Sequence, residues 1–316
     1  MDRMKKTKIN YTEIFGIYGS NEKVKIVLPL FNNTGFIYDM NYDINCCIGI
    51  ASNYQFELIK TSYNDNYIAA LARASKAKIR IGPISKLNSF FTYNKGVLQK
   101  RSRSVKNEGQ YNLDLVAKLD KKRFSILYEL NTKLVLTDDN RKVADTFFKE
   151  NSIEGKCLVV NPFIGGSAKN ITDEQYVSIL KKVKEEMPDL NIIVTSHISD
   201  EERNEKFCKD IGKDKVYSFS NGASILNTAS IIDRADVYFG ASTGPTHIAG
   251  ALGKRIVAIY PNKKTQSITR WGVFGNSNVE YIVPDENNPN EDYKNPYFDN
   301  FTKEMEDRVV KEILEG

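Results

Sequence analysis

The sequence is poor in the residues that usually announce a metal site or a disulfide framework. It holds two histidines and four cysteines in 316 residues. Cys46, Cys47, Cys157 and Cys208 form neither a CxxC pair nor a metal-like cluster. Adjacent cysteines such as Cys46 and Cys47 rarely bridge each other, so reduced thiols are the expectation. There is no HExxH run, and no metal is expected. No apolar stretch approaches the roughly 18 residues that span a bilayer. The basic start MDRMKKTKIN has no apolar stretch behind it and does not read as a secretory signal, so a cytoplasmic location is expected. A large charge of one sign is also missing, the net being +5. With no basic motif interleaved with aromatics, nucleic acid is not an expected partner.

What is present is ordinary for a globular protein: 41% hydrophobic and 27% charged residues, at a length that suggests two domains. The expected division is 1–150 and 151–316, with 151–156 as a linker. In the first half, Val24–Leu30, Ile44–Ala51, Phe56–Ile59 and Lys78–Pro83 read as strands, and Asp65–Ser75 as a helix. Residues 84–110 read as a polar loop, Tyr111–Leu119 as a helix, and Phe124–Leu136 as a strand-and-turn region. The run KGVLQKRSRSVK (Lys95–Lys106) concentrates positive charge. A solvated loop and a surface for an anionic acceptor or a membrane are both open readings. Asp138–Glu150 has a helical pattern.

The second half alternates more regularly. Strands are expected at Cys157–Asn161, Leu190–Thr195, Val216–Phe219, Val237–Phe239 and Arg255–Tyr260. Between them, Thr172 and Gln175 form a capping-box pattern for a helix that buries Tyr176, Ile179, Leu180 and Val183. Further helices are expected over Asp200–Ile211, Ile225–Ala235 and Phe301–Leu314, with Ile225 among the inward positions of the second. This alternation predicts an α/β fold with a parallel sheet, whose ligands sit beyond the carboxyl ends of the strands. The loops 162–170, 195–199, 219–224 and 240–246 are expected to converge there.

The most informative stretch is ADVYFGASTGPTHIAGALGKRIVAIYP, Ala235–Pro261. A strand ends at Gly240, and Ala241-Ser242-Thr243-Gly244 lets a loop backbone come close to a ligand. Thr243 is placed to cap a helix, and Pro245 suits its first turn. Gly253 can close that helix in a left-handed turn. The free N–H groups of such a start, with the positive end of the dipole, make an anion site. His247 lies on the first turn. Tight packing alone also explains a small-residue loop, and the small face Ala249-Gly250-Ala251 fits either reading.

Four segments in order carry a family likeness: VVNPFIGGSAKN (Val159–Asn170), IIVTSH (Ile192–His197), STGPTHIAGALGK (Ser242–Lys254) and ITRWG (Ile268–Gly272). Through them residues from about 155 onward resemble glycosyltransferase family 9, the lipopolysaccharide heptosyltransferases. KIRIGP, Lys78–Pro83, also looks like a family segment. The resemblance implies a GT-B fold, two Rossmann-like domains facing across a cleft. The acceptor side would be 1–150, atypical or incomplete, and the nucleotide-sugar side 151–316. It implies inverting, metal-independent transfer of a heptose-like sugar from an ADP-heptose-like donor, with no other cofactor. The acceptor would be a glycan or glycolipid. The chain is expected to act as a monomer, with a peripheral contact at the inner face of the cytoplasmic membrane open.

By the same resemblance, Lys169 is the lysine that stabilises the leaving group. Ser167, Ser242, Thr243, Gly244, Pro245, Thr246 and His247 would bind the donor. Arg270 and Trp271 would either pack their loop or reach the cleft. Many members carry Asp where Ser242 stands. The family's opening strand and Gly-Asp loop, which holds its base, has no match before Val24. Asp39 and Asp43 lie nearby in sequence, but neither is identified as the base. The expectations that follow are a truncated or remodelled N-terminus, or a GT-B chain that binds a nucleotide sugar or glycan without transferring it. A GT-B epimerase would need more carboxylates than the donor-side loops offer.

Overall fold

Short β-branched runs alternating with amphipathic helices build a single parallel sheet in the second half of the chain. The computed structural model describes six strand segments before residue 61, and residues 78–316 except 86, 129, 131, 166, 167, 223, 289 and 290. Backbone contacts divide the chain into two compact units, residues 1–129 and 130–316.

The first unit contains two sheets. Strands β1 (Lys6–Ile9), β4 (Thr34–Met40) and β3 (Val24–Leu30) form an antiparallel sheet in that order. The other sheet runs β2 (Gly16–Ile17), β5 (Cys47–Ser52), β6 (Gln55–Lys60), β7 (Ile79–Pro83) and β8 (Lys95–Val97). Its first two pairings are antiparallel and its last two parallel. Among the described residues, therefore, this unit is not a doubly wound parallel sheet. The helix expected over Asp65–Ser75, like Cys46 and Asp43, lies outside the described residues.

Three expectations for this unit change. Residues 84–110 are not all loop, since they contain β8 and the short helix α1 (Leu87–Phe90). Helix α2 runs Glu108–Ala117, starting earlier than Tyr111 because the Asn107 side chain accepts a hydrogen bond from the Gly109 N–H. The strand-and-turn expected over Phe124–Leu136 begins instead as helix α3, Lys121–Leu127. Asp120 caps it at the Arg123 N–H, and the rings of Phe124 and Tyr128, one turn apart, stack at 4.5 Å. The basic run is also less solvated than its composition suggests. Arg101 is buried, paired with Glu108, hydrogen-bonded to Gln99 and Asn112, and stacked over Tyr111.

The second unit is a doubly wound α/β domain. Its strands are β9 (Cys157–Asn161), β10 (Asn191–His197), β11 (Val216–Asn221), β12 (Val237–Ala241), β13 (Arg255–Ile259) and β14 (Val279–Ile282). All pairings are parallel, in the order β11-β10-β9-β12-β13-β14. Numbered from β9, this is the 3-2-1-4-5-6 order of the Rossmann fold, which reverses direction between β9 and β12. Every residue of β9 and β12 is buried, as expected of central strands covered on both faces.

Helix α4 (Asp138–Glu150) belongs to this unit. Ala144 packs in the same core cluster as Ile231 and Ile232, the Phe147 ring meets Phe219 edge-on at 5.1 Å, and Arg141 pairs with Asp233. Helix α5 (Asp173–Glu186) has the capping box at Thr172 and Gln175 and buries Tyr176, Ile179, Leu180 and Val183. Helices α6 (Glu201–Ile211), α7 (Ile225–Asp233) and α10 (Lys303–Leu314) follow the expected segments. Ile225, expected inward, is exposed at the first turn of α7. Cys157 and Cys208 are free, buried thiols, pushed up to about 11 and about 12 by burial. No helix among the described residues is long and apolar enough to cross a membrane.

Candidate functional site

The reversal between β9 and β12 parts the loops that leave their carboxyl ends, and ligands of open α/β sheets bind in that crevice. On one side, β9 ends at Asn161, opposite Gly240 of β12. Asn161 is buried, and its amide donates to the Thr195 carbonyl at 2.9 Å, which ties β9 to β10. A Cβ on Gly240 would stand 2.7 Å from the Tyr238 hydroxyl and 3.1 Å from the Asn161 carbonyl, so glycine here is a packing requirement.

On the other side, β12 passes through Ser242 and Thr243 into helix α8, Gly244–Ala251. Thr243 occupies the capping position with extended backbone, yet its side chain makes no cap hydrogen bond. The cap expected there is not made. Its hydroxyl instead lies 3.5 Å from the Ala241 carbonyl. The first N–H groups of a helix have no partner within it, and Pro245 contributes none. Those of Gly244 and Thr246 therefore remain for a ligand.

The first turn of α8 also has no acidic residue. Helices α4, α5, α6 and α10 each carry acidic residues in the first turn, and α7 is capped by Ser224. Among the helices of this unit with 8 residues or more, α8 alone has neither device. Its positive end is left for something outside the chain.

The residues of the STGPTH run divide by role. Thr246 is fully buried, and its hydroxyl donates to the Ala241 carbonyl and meets the Tyr238 hydroxyl at 3.3 Å. Its side chain fastens the turn, and its backbone N–H is what it can offer a ligand. Gly244 is exposed, and a Cβ built on it meets nothing within 4 Å. The fold does not need glycine there; the open space beside it is room for a bound group. Ser242 is half-buried beside the Tyr260 hydroxyl. His247 is half-buried, its ring makes no hydrogen bond with another described residue, and it is held below its ordinary value by burial. It is therefore a neutral imidazole at neutral pH, able to donate one hydrogen bond. On the opposite side of α8, a Cβ on Gly250 would fall 2.1 Å from Val273, so that part of the small face is packing.

Lys169 lies on the loop after β9, but its ammonium is not presented to solvent. Its side chain is 3% exposed and paired with Glu291, whose own is 1% exposed. It donates to the Asp292 carbonyl at 2.7 Å and sits over the rings of Tyr293 and Phe298. Ser167 lies outside the described residues. In the short helix α9 (Ile268–Trp271) Arg270 stacks on Trp271 at 5.6 Å, the indole N–H donates to the Thr265 carbonyl, and Tyr260 donates to the Trp271 carbonyl. These contacts pack the loop.

Sheet order also revises which loops converge. The segment 219–224 is the end of β11 and the turn after it, two strands from β9, or about 10 Å at the spacing of paired strands. The loop after β13 is the nearer neighbour of β12, and the sequence reading omitted it. It carries Lys263, over the Tyr293 ring at 4.6 Å, and the exposed Lys264. Their signal was position: two lysines directly beyond a buried strand.

A model of glycosyltransferase family 9 (heptosyltransferase) matches residues 52–297. A Haemophilus influenzae protein described as a candidate glycosyltransferase is 27% identical over 221 residues, 69% of this chain and 63% of that protein. The chain thus spans less than two thirds of the length of that curated relative. Among solved structures, the E. coli ADP-heptose lipopolysaccharide heptosyltransferase II aligns with a TM-score of 0.60 at 14% identity, covering 82% of this chain and 75% of that one. E. coli heptosyltransferase WaaC, solved with ADP, aligns with a TM-score of 0.57 at 16% identity, covering 84% and 73%. The α/β fold with its parallel sheet is that of these structures.

Proposed function

Because the chain belongs to glycosyltransferase family 9, we propose that it transfers a heptose-like sugar from a nucleoside diphosphate sugar to a surface-glycan or glycolipid acceptor, with inversion. The observation that carries this reading is the uncapped, acid-free start of α8 at the crevice between β9 and β12. A diphosphate leaving group develops charge as the glycosidic bond breaks, and fixed donors aimed at it lower the barrier. The Gly244 and Thr246 N–H groups, the α8 dipole and the neutral His247 supply that stabilisation from one side.

In the reaction the acceptor hydroxyl oxygen attacks the anomeric carbon opposite the diphosphate. The new C–O bond forms as the bond to the diphosphate oxygen breaks, and that oxygen keeps the electron pair. The acceptor proton passes to a base that the family likeness leaves unassigned. Lys169, on the loop after β9, is the residue that the family likeness assigns to the leaving-group side. No metal is invoked in this sequence of steps. Holding both reactants in one site supplies orientation as well.

The test is a thermal-shift screen with ADP-, GDP- and UDP-sugars, repeated on Lys169→Ala and followed by an assay for released nucleoside diphosphate with a glycolipid acceptor. One donor class should stabilise the wild type by about 2.7 kcal/mol at a hundred times its Kd. If no nucleotide sugar does so, the donor-site reading is wrong. Binding with no turnover on any acceptor would leave a nucleotide-sugar binding protein on this scaffold.

A further inference from the structure

Beyond β14 the chain returns across the carboxyl edge of the sheet and fastens itself to two of the edge loops. Asp285 accepts from the Asn262 N–H at 2.8 Å and from the Tyr293 hydroxyl, holding the loop after β13. Asn170 exchanges backbone hydrogen bonds with Pro296 and Phe298, both at 3.0 Å, holding the loop after β9. Between these anchors stands Glu291. Its carboxylate accepts from Lys169, from the Asn288 side chain at 2.8 Å, and from the Asp299 N–H at 3.3 Å. Lys169 is the one cation of the loop Pro162–Asn170. The edge nearest the anion site thus has its lysine already neutralised by an anion from the chain itself.

We propose that Glu291 is a positioning residue that holds Lys169 in reserve: its carboxylate occupies the ammonium until the donor's diphosphate replaces it. This inference rests on the donor-site reading above and goes beyond it by assigning Glu291 and the strap Asp285–Phe298 a part in the binding step. The physical reason is charge continuity. A buried ammonium without a counterion is strongly disfavoured, and a pair broken on one side leaves that state behind. Exchanging one oxyanion for another keeps Lys169 paired throughout, and loosening of the strap lets water reach the Glu291 carboxylate that the lysine leaves. The loop after β9 and the start of α8 leave adjacent strands, about 4.8 Å apart. The movement required is a change of lysine rotamer and loosening of the strap around Glu291.

The experiment measures ADP binding by calorimetry on the full chain, for wild type, Glu291→Gln, Lys169→Met and the double variant. Amide hydrogen exchange of wild type with and without ADP accompanies it. Glu291→Gln frees the ammonium and should bind ADP about tenfold more tightly, the size of one charge-assisted contact released to the ligand. The double variant should lose that gain. In wild type, amides of residues 285–299 should exchange faster in the ADP complex than in the free protein. If Glu291→Gln binds no more tightly, or the double variant keeps the gain, Lys169 is not held in reserve and the donor-site reading stands alone. Should Glu291→Gln fail to fold, the wild-type exchange decides: unchanged or slower exchange across 285–299 overturns the proposal. If neither ADP, GDP nor UDP binds the wild type, the donor-site reading falls and this inference falls with it.

Discussion

Gly244 stands at the first position of α8 with open space where a side chain would begin, whereas Gly240 and Gly250 on either side of it are hemmed in by neighbours. Alanine there should leave stability unchanged or raise it by about 0.5 kcal/mol, through a stiffer unfolded chain. The same methyl group would stand where the proposed diphosphate sits, so ADP affinity should fall by about tenfold or more. Thermal unfolding and calorimetry on Gly244→Ala check the two halves separately. A variant equally stable and equally tight would remove the diphosphate from this end of the helix. His247 allows a pH test. Burial holds its folded value below the ordinary 6.5, so protonation favours the unfolded chain. Its contribution to stability is complete above about pH 6.5 and declines as pH falls below that, until the lower folded value is passed. His247→Asn should flatten that part of the stability profile. A bound diphosphate beside the ring would favour the imidazolium. ADP binding should then take up protons as pH falls through the imidazole range, seen as a buffer-dependent heat in wild type that is reduced in His247→Asn.

At the scale of elements, α8 has two faces with different duties. Its first turn faces the crevice, while Gly250 lies against Val273 with no room for a methyl group. Gly250→Ala should therefore cost about 1–3 kcal/mol through overpacking, with ADP affinity changed little in the molecules that remain folded. Denaturant unfolding of Gly250→Ala beside Gly244→Ala tests this division within one helix. Much of this element was legible in the sequence, because its signals are local: Pro245 in the first turn, and Gly253, with a φ of 71°, after the last. The capping box of α5 was legible for the same reason. Strand β14 was not, since Val279–Ile282 follows a polar Asn-rich stretch and only Ile282 of the four is fully buried. Helix α3 is less legible, because the aromatic and β-branched residues that follow its cap, Asp120, favour a strand as readily as a helix. The pairing of Lys169 was illegible for another reason. Glu291 lies 122 residues away in the chain, and no local pattern marks either residue as buried.

For the whole molecule, the two units are unequal in how fully they follow the family fold. The second has the strand order that fixes a ligand crevice by topology alone. The first combines an antiparallel sheet with a mixed one, and none of its residues is assigned here as the base. The binding half of the proposed reaction therefore rests on geometry, while the acceptor half rests on family membership.

The central claim is that the diphosphate of a nucleotide sugar is held by the start of α8. Nitrogen–proton correlation spectra of the full chain, titrated with ADP, test it most directly. The Gly244 and Thr246 amide protons should move downfield on saturation, as N–H groups do when they gain a charge-assisted bond, with Pro245 silent between them. Saturable ADP binding that leaves those two amides unmoved, while amides elsewhere shift, would contradict the claim.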